Sequence, residues 1–264
     1  MCSCAHTTER EAIVPKLNRV FLCVLLVCGV FTLPMLSHAA DDKKNENSCV
    51  QCHSRLPSSS FVGAKSHSWT RSKHQKHGVT CDKCHGGDPR ALEQKGAHTG
   101  VLGSRNPQST VYYKNIPSTC GKCHGAESYK FIQSLHYKRL ESTGKGPECV
   151  TCHGSMVTSI LTPDTISVVC EQCHNDRMGI LPYVPQKAKA VLLLLRESAA
   201  LLDADQKLYR PAAGTTESRY MLNARAALHS ARLEWHKFDF DTITGHLQGM
   251  YNSLEMLSAK RKHQ

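Results

Sequence analysis

The sequence predicts a mainly α-helical chain with much irregular coil: an array of short helices and loops over residues 41–182, then a C-terminal helical hairpin or small bundle over 186–264. Three observations predict it. Ten cysteines between positions 49 and 173 fall into five CxxC pairs, each followed directly by His. The stretches between them are rich in Gly, Ser, Pro and Lys and show little strand-like alternation. After Leu181-Pro-Tyr-Val-Pro185 there is no further cysteine, and apolar residues recur at steps of three and four, the period of one helix face.

Residues 1–39 read as a signal peptide. Lys16 and Arg19 precede an apolar run from Val20 to Leu36, and Ser37-His-Ala39 places small residues at the two positions that signal peptidase reads. Cleavage is expected after Ala39, which puts the mature chain in the periplasm or otherwise across the cytoplasmic membrane. The apolar run is near the short limit for spanning a bilayer, about 17 residues, so an uncleaved anchor is the alternative. Val27 before Cys28 makes a poor lipobox. Cys2, Cys4, Cys23 and Cys28 lie in this leader, so every later cysteine sits in a CxxC pair and none remains for an ordinary secreted disulfide framework.

The five motifs are Cys49-Val-Gln-Cys52-His53, Cys81-Asp-Lys-Cys84-His85, Cys120-Gly-Lys-Cys123-His124, Cys149-Val-Thr-Cys152-His153 and Cys170-Glu-Gln-Cys173-His174. With His at its frequency in this chain, five adjacent histidines in five would arise by chance roughly once in a million. Zinc sites use paired CxxC units but need no His after each, and a redox dithiol needs only one pair. Covalent haem c needs all three residues: two thiols for the vinyl groups and the next imidazole as proximal iron ligand. Five covalently bound haem c groups are therefore expected, with His53, His85, His124, His153 and His174 on iron. Ser72-Lys-His74 and Ser134-Leu-His136 each lie between one motif and a following CxxCHG, so 41–182 reads as two di-haem modules plus a fifth haem. About 28 residues per haem cannot build a separate apolar core for each, which leaves the haems themselves as core.

In the tail, Gln186 to Leu208 reads as one helix with a buried face, ended by Arg210-Pro-Ala-Ala-Gly214. Thr215 or Thr216 caps a second helix running to about Lys237. Phe238-Asp-Phe-Asp241 marks a third boundary, beyond which Ile243, Leu247, Met250, Leu254 and Leu257 step by four and three.

Nine histidines of the mature chain lie outside the motifs, more than five irons can use, which favours bis-histidine coordination. His74 and His136 share the SxH element, and His98 falls between the modules. His229 and His236, seven residues apart, are expected on one helix face about 10 Å apart, suited to two different irons. His246 competes with them, and His67 is a further runner-up. His77 reads as solvated among Lys and Arg, and His263 as surface tail. Met156 and Met178, near motifs, read as packing residues. The first motif, at Cys49, is the one expected to lack a distal partner, because nothing upstream supplies one; Arg55 is a nearby cation.

The stretches SKHQKHGVTCDKCHGGD, KGAHTGVLGS and FIQSLHYKRLESTGKGPECVTCHGS resemble the multihaem c-type cytochromes that include the tetrahaem electron acceptor of hydroxylamine oxidoreductase, the pentahaem nitrite reductases and octahaem relatives. The likeness covers roughly Ser48 to His174. More loosely, ARAALHSARLEWHKFD looks like the distal-ligand helices of that superfamily. The resemblance implies His74, His98 and His136 as distal ligands, and haems packed in pairs close enough for tunnelling. The CxxCK of the nitrite reductases is absent, and nothing marks a cross-linked tyrosine.

The expected function is single-electron transfer along mostly bis-His haems in anaerobic-type respiration, between a quinol-linked donor and a terminal reductase or external acceptor. The alternative is a reductase of nitrogen or sulfur oxyanions with one open haem; a haem-wire subunit is compatible with the first. The formal charge of +11 does not argue for nucleic acid, since about ten haem propionates would balance it internally. A membrane role is expected only through an uncleaved leader or a membrane-bound partner.

Overall fold

The computed structural model describes residues 47–261; the leader expected over 1–39 and His263 lie outside them. The described chain is mainly helical with coil, and no strand occurs among the described residues. The cysteine-bearing segment carries ten short helices. They are α1 (Ser48–His53), α2 (Phe61–Trp69), α3 (Lys73–Lys76), α4 (Asp82–His85), α5 (Gln94–Ala97), α6 (Ile116–Gly121), α7 (Gly125–Phe131), α8 (Leu135–Thr143), α9 (Cys149–His153) and α10 (Pro163–Glu171).

Helices this short do not hold themselves together by propensity, so their ends matter. Side chains of Asn47, Ser60, Ser72, Ser134, Glu148 and Thr162 accept first-turn N–H groups and start α1, α2, α3, α8, α9 and α10. Gly86 (φ +72°) and Gly154 (φ +77°) end α4 and α9 directly after the motif histidines. That backbone geometry is cheap only for glycine, which accounts for the glycine after the second and fourth motifs, whereas Gly125 after the third opens α7.

Three long helices follow: α11 (Val184–Leu208), α12 (Thr216–Glu234) and α13 (Phe240–Arg261). They pack together as a three-helix bundle. Val191, Leu195 and Leu202 of α11 meet Met221, Ala224 and Leu228 of α12 and the expected stripe Ile243, Leu247, Met250, Leu254 and Leu257 of α13. The cap of α12 is Thr215. That helix stops three residues short of the expected end, because the chain tightens into a 3₁₀ turn at Trp235–Lys237 and reverses at Phe238 (φ +62°). Asp239 then accepts from Thr242 N–H at 3.1 Å and starts α13. Ile166 of α10 is buried against the same core, and Lys189 meets Asp164 at 2.7 Å, so α10 joins the two segments. Among the described residues, no helix is long and apolar enough to cross a membrane.

Burial divides the chain sharply. The bundle is packed conventionally, whereas 47–182 buries only Phe131, Leu140 and Ile166 among its large aliphatic and aromatic side chains. Phe61, Leu92, Leu135 and Ile160 stand 80%, 81%, 81% and 76% exposed. Polypeptide alone does not supply this segment with a core.

Truncating a bundle side chain tests the packing. Leu247→Ala, at a position 1% exposed, is expected to cost about 2–5 kcal/mol. The check is a lower urea midpoint at unchanged slope, followed by helical circular dichroism; a loss under about 1 kcal/mol would contradict a close-packed bundle.

Candidate metal centres

Each motif is built on a single helical turn. The amide of His85 donates to the Cys81 carbonyl at 2.9 Å, His124 to Cys120 at 2.9 Å and His174 to Cys170 at 2.8 Å. In the first and fourth motifs, α1 and α9 span the same residues. One turn places residues i, i+3 and i+4 on a common side, so two thiols and an imidazole share a face. Among the described residues, no disulfide joins any of the ten motif cysteines.

The SxH elements have a physical origin. Ser72 Oγ accepts from Gln75 N–H at 3.0 Å and Ser134 Oγ from Tyr137 N–H at 3.1 Å, and both serines are buried. S-x-H is thus an N-cap followed by a histidine at the second helical position, held in the rigid first turn.

Four motif histidines each face one histidine from elsewhere. Ring centres are 6.0 Å apart for His53 and His98, 6.1 Å for His124 and His74, 6.0 Å for His174 and His136, and 6.3 Å for His153 and His236. A metal held at about 2 Å by a nitrogen of each ring, with each nitrogen about 1.1 Å from its ring centre, sets the centres roughly 6.2 Å apart. The pairs therefore fit one metal atom between two imidazoles. The pairs also cross the expected modules, since His74 reaches the third motif and His136 the fifth.

Second partners orient the rings. Nδ1 of His98 lies 2.8 Å from the Gln94 carbonyl, Nδ1 of His153 2.9 Å from that of Ser159, and Nδ1 of His174 3.0 Å from that of Ile180. A carbonyl only accepts, so the proton sits on Nδ1 and the Nε2 lone pair is free for a metal. His74 Nδ1 meets Thr158 Oγ1 at 3.3 Å. Burial, reinforced by His174, pushes His136 down to about 4. Burial followed by the facing ring likewise lowers His53, His74 and His236. Depressed values keep these imidazoles neutral, the form that ligates.

The thiols show how the motifs are arranged. Burial, then Cys49, pushes Cys81 up to about 11; burial, then Cys120 and Cys123, raises Cys84. The neighbouring Cys120 raises the Cys149 thiol, and Cys149 lowers that of Cys120. Burial, then Cys170, pushes Cys152 up to about 12. Spatial neighbours thus follow chain order from the first motif to the fifth. Between the first and second, Asp82 accepts from Asn47 at 2.8 Å and from Thr80 at 2.6 Å, tying the cap of α1 to the start of α4.

Two expectations need correction. The first motif does not lack a partner, because His98 folds back to it from 45 residues downstream (98 − 53). His85, in the second motif, is instead the motif histidine with no second imidazole in ring contact among the described residues. His229 and His236 do not share a helix face, since α12 ends at Glu234 and the 3₁₀ turn carries His236 off toward His153. His229 stays exposed beside a hollow of about 270 Å³ with Leu202, Asp203 and Arg232, and is in ring contact with no motif histidine among the described residues. His246 is half-buried on α13, and His67 and His77 are exposed. Sequence reasoning missed Lys130, whose ammonium pairs with the buried carboxylate of Glu234 and fastens α7 to the end of α12 two residues before His236. Neither residue carries a local motif to announce it. Among the described residues, no three or more His, Cys, Asp or Glu side chains gather as they would round a bare metal ion.

Compared with protein-family models, curated proteins and solved structures, the chain matches none.

Asp82 provides a pH test. Burial acts to raise its carboxyl, but hydrogen bonds from Thr80, Lys83 and Asn47 outweigh this and leave it below the ordinary value. The stability it contributes is fully present above the unfolded value of about 3.9 and is lost as pH falls through the lower folded value. Asp82→Asn is expected to flatten acid unfolding below about pH 4, read by urea midpoints across pH. An unchanged acid limb would show that Asp82 does not link the first two motifs energetically.

Proposed function

We propose that the chain is an exported five-haem c-type cytochrome that carries single electrons between redox partners. The observation that carries this is the set of four facing imidazole pairs at 6.0–6.3 Å, each combining one CxxCH histidine with one histidine from outside the motifs. Haem, once attached, supplies a redox-active iron and an apolar plane. The chain's own residues do the rest. Cys49 and Cys52, and the four later pairs, would anchor the group covalently. His53, His85, His124, His153 and His174 would each ligate an iron, and His98, His74, His236 and His136, which face four of them, would supply a second imidazole. Two fixed imidazoles per site require no ligand exchange when the charge changes, which suits transfer over turnover. A tetrahedral zinc site needs four donors, and the side chains come together as pairs. Exposed Leu135 and Ile160, near His136 and His153, are surfaces an apolar plane would cover. A quinol-linked donor and a terminal reductase or external acceptor are the partners that suit such a carrier.

Single substitutions test the assignment. In the purified protein, His74→Ala, His98→Ala, His136→Ala and His236→Ala are each expected to turn one low-spin haem in five into high-spin, seen by electron paramagnetic resonance. His229→Ala is expected to turn none. Loss of no low-spin signal in any of the four would overturn the reading.

His85 favours a second reading for its own site, an open position that takes a small ligand, as a reductase of nitrogen or sulfur oxyanions needs. Carbon monoxide added to the reduced protein should then shift about one fifth of the haem absorbance, and the fraction should rise to about two fifths in His98→Ala. No shift in the unsubstituted protein would leave the carrier reading alone.

A further inference from the structure

The face built by α1 to α3 has a composition unlike the rest of the chain. From Asn47 to Cys81 there are five cations, Arg55, Lys65, Arg71, Lys73 and Lys76, and no Asp or Glu. All five are exposed, as are His67 and His77. None of the five forms an ion pair among the described residues, although Lys130, Lys187, Lys189, Lys207 and Arg261 each meet a carboxylate elsewhere. Among these charges Phe61 stands 80% exposed, with Lys65 Nζ 5.7 Å from its ring centre, and Leu56 and Val62 are exposed beside it.

The face is also preformed. Ser60 caps α2 through Gly63 N–H at 3.1 Å, and Gly63 sits where any Cβ would strike the Pro57 carbonyl. Trp69 Nε1 donates to the Val79 carbonyl at 3.0 Å and ties α2 to the segment after α3. Little ordering is left to do on binding. Its location is equally specific. In the succession of neighbouring thiols the first motif stands at one end, beside Cys81, with Cys52 exposed. An end of the succession is a point of exchange that a partner can reach.

We propose that this face docks an acidic electron-transfer protein over the first motif, with the five cations steering approach and Phe61 as its apolar anchor. The proposal rests on the carrier reading.

The test uses the full haem-loaded protein with flavodoxin, an acidic one-electron carrier, as probe. Affinity is measured by titration at about 10 mM and about 0.3 M ionic strength, and reduction by photoreduced flavodoxin is followed alongside. The combined variant Lys65→Glu, Arg71→Glu, Lys73→Glu and Lys76→Glu is expected to weaken low-salt binding at least tenfold, and salt to weaken the unsubstituted protein similarly. Phe61→Ala should weaken binding several-fold at both salts. Reversing four exposed cations of the bundle, Arg196, Arg219, Arg225 and Lys260, should change it less than twofold. An equal loss in that control, an affinity indifferent to salt, or no loss in the first variant would overturn the proposal. So would binding of the unsubstituted protein to vesicles containing about 30% phosphatidylglycerol that the first variant abolishes, since the face would then be a lipid surface. If four reversals prevent haem loading, Lys65→Glu with Lys76→Glu, expected to cost at least threefold, decides. Failure of the carrier reading would appear separately, as missing covalent haem or missing low-spin signal in the unsubstituted protein.

Discussion

An imidazole serves a metal only when its ring is aimed, and through most of 47–182 there is little packing to aim it. Hydrogen bonds do this instead. Carbonyls of Gln94, Ser159 and Ile180 hold the rings of His98, His153 and His174 by Nδ1, and buried Ser72 and Ser134 fix the turns that carry His74 and His136. A net hydrogen bond contributes only about 1 kcal/mol, so no single one of these explains the arrangement. Their effect is directional: each removes a rotation that an uncored segment would otherwise leave open.

His136 and His236 are held differently. Their Nδ1 atoms are buried with no hydrogen-bond partner among the described residues, so packing places both rings. Phe238, reversed at positive φ, packs edge-to-face with His136, ring centres 4.5 Å apart, and contacts Phe131. The Lys130–Glu234 ion pair brings the end of α12 onto α7. The bundle is thus the rigid body against which the fourth and fifth motifs are positioned, and its core is what makes a 3₁₀ turn at 235–237 a defined address.

Legibility in the sequence followed distance along the chain. The five CxxCH units are local chemistry and could be read at sight, and the SxH repeat could be recognised before its capping role was known. The α13 stripe was legible because Ile243, Leu247, Met250, Leu254 and Leu257 keep one face along most of a 22-residue helix. Which imidazole meets which was not, since partners lie between 38 residues (136 to 174) and 83 residues (153 to 236) apart. The expectation for His229 failed on a three-residue error in a helix end, which turned a shared face into two unrelated directions. The expectation for the first motif failed because it looked upstream for a ligand, whereas His98 comes back from downstream.

Drawn as arcs along the chain, the four facing pairs have a topology. The arc 53–98 crosses 74–124, and 136–174 crosses 153–236, but no arc spans the gap between His124 and His136. Each SxH histidine faces the first motif beyond its own SxH–CxxCHG unit, His74 meeting His124 and His136 meeting His174. A chain emerging N-terminus first has both crossed arcs of its first set complete by residue 124. His153 waits until α11 and α12 have emerged, and the fourth motif is the last to gain its facing imidazole.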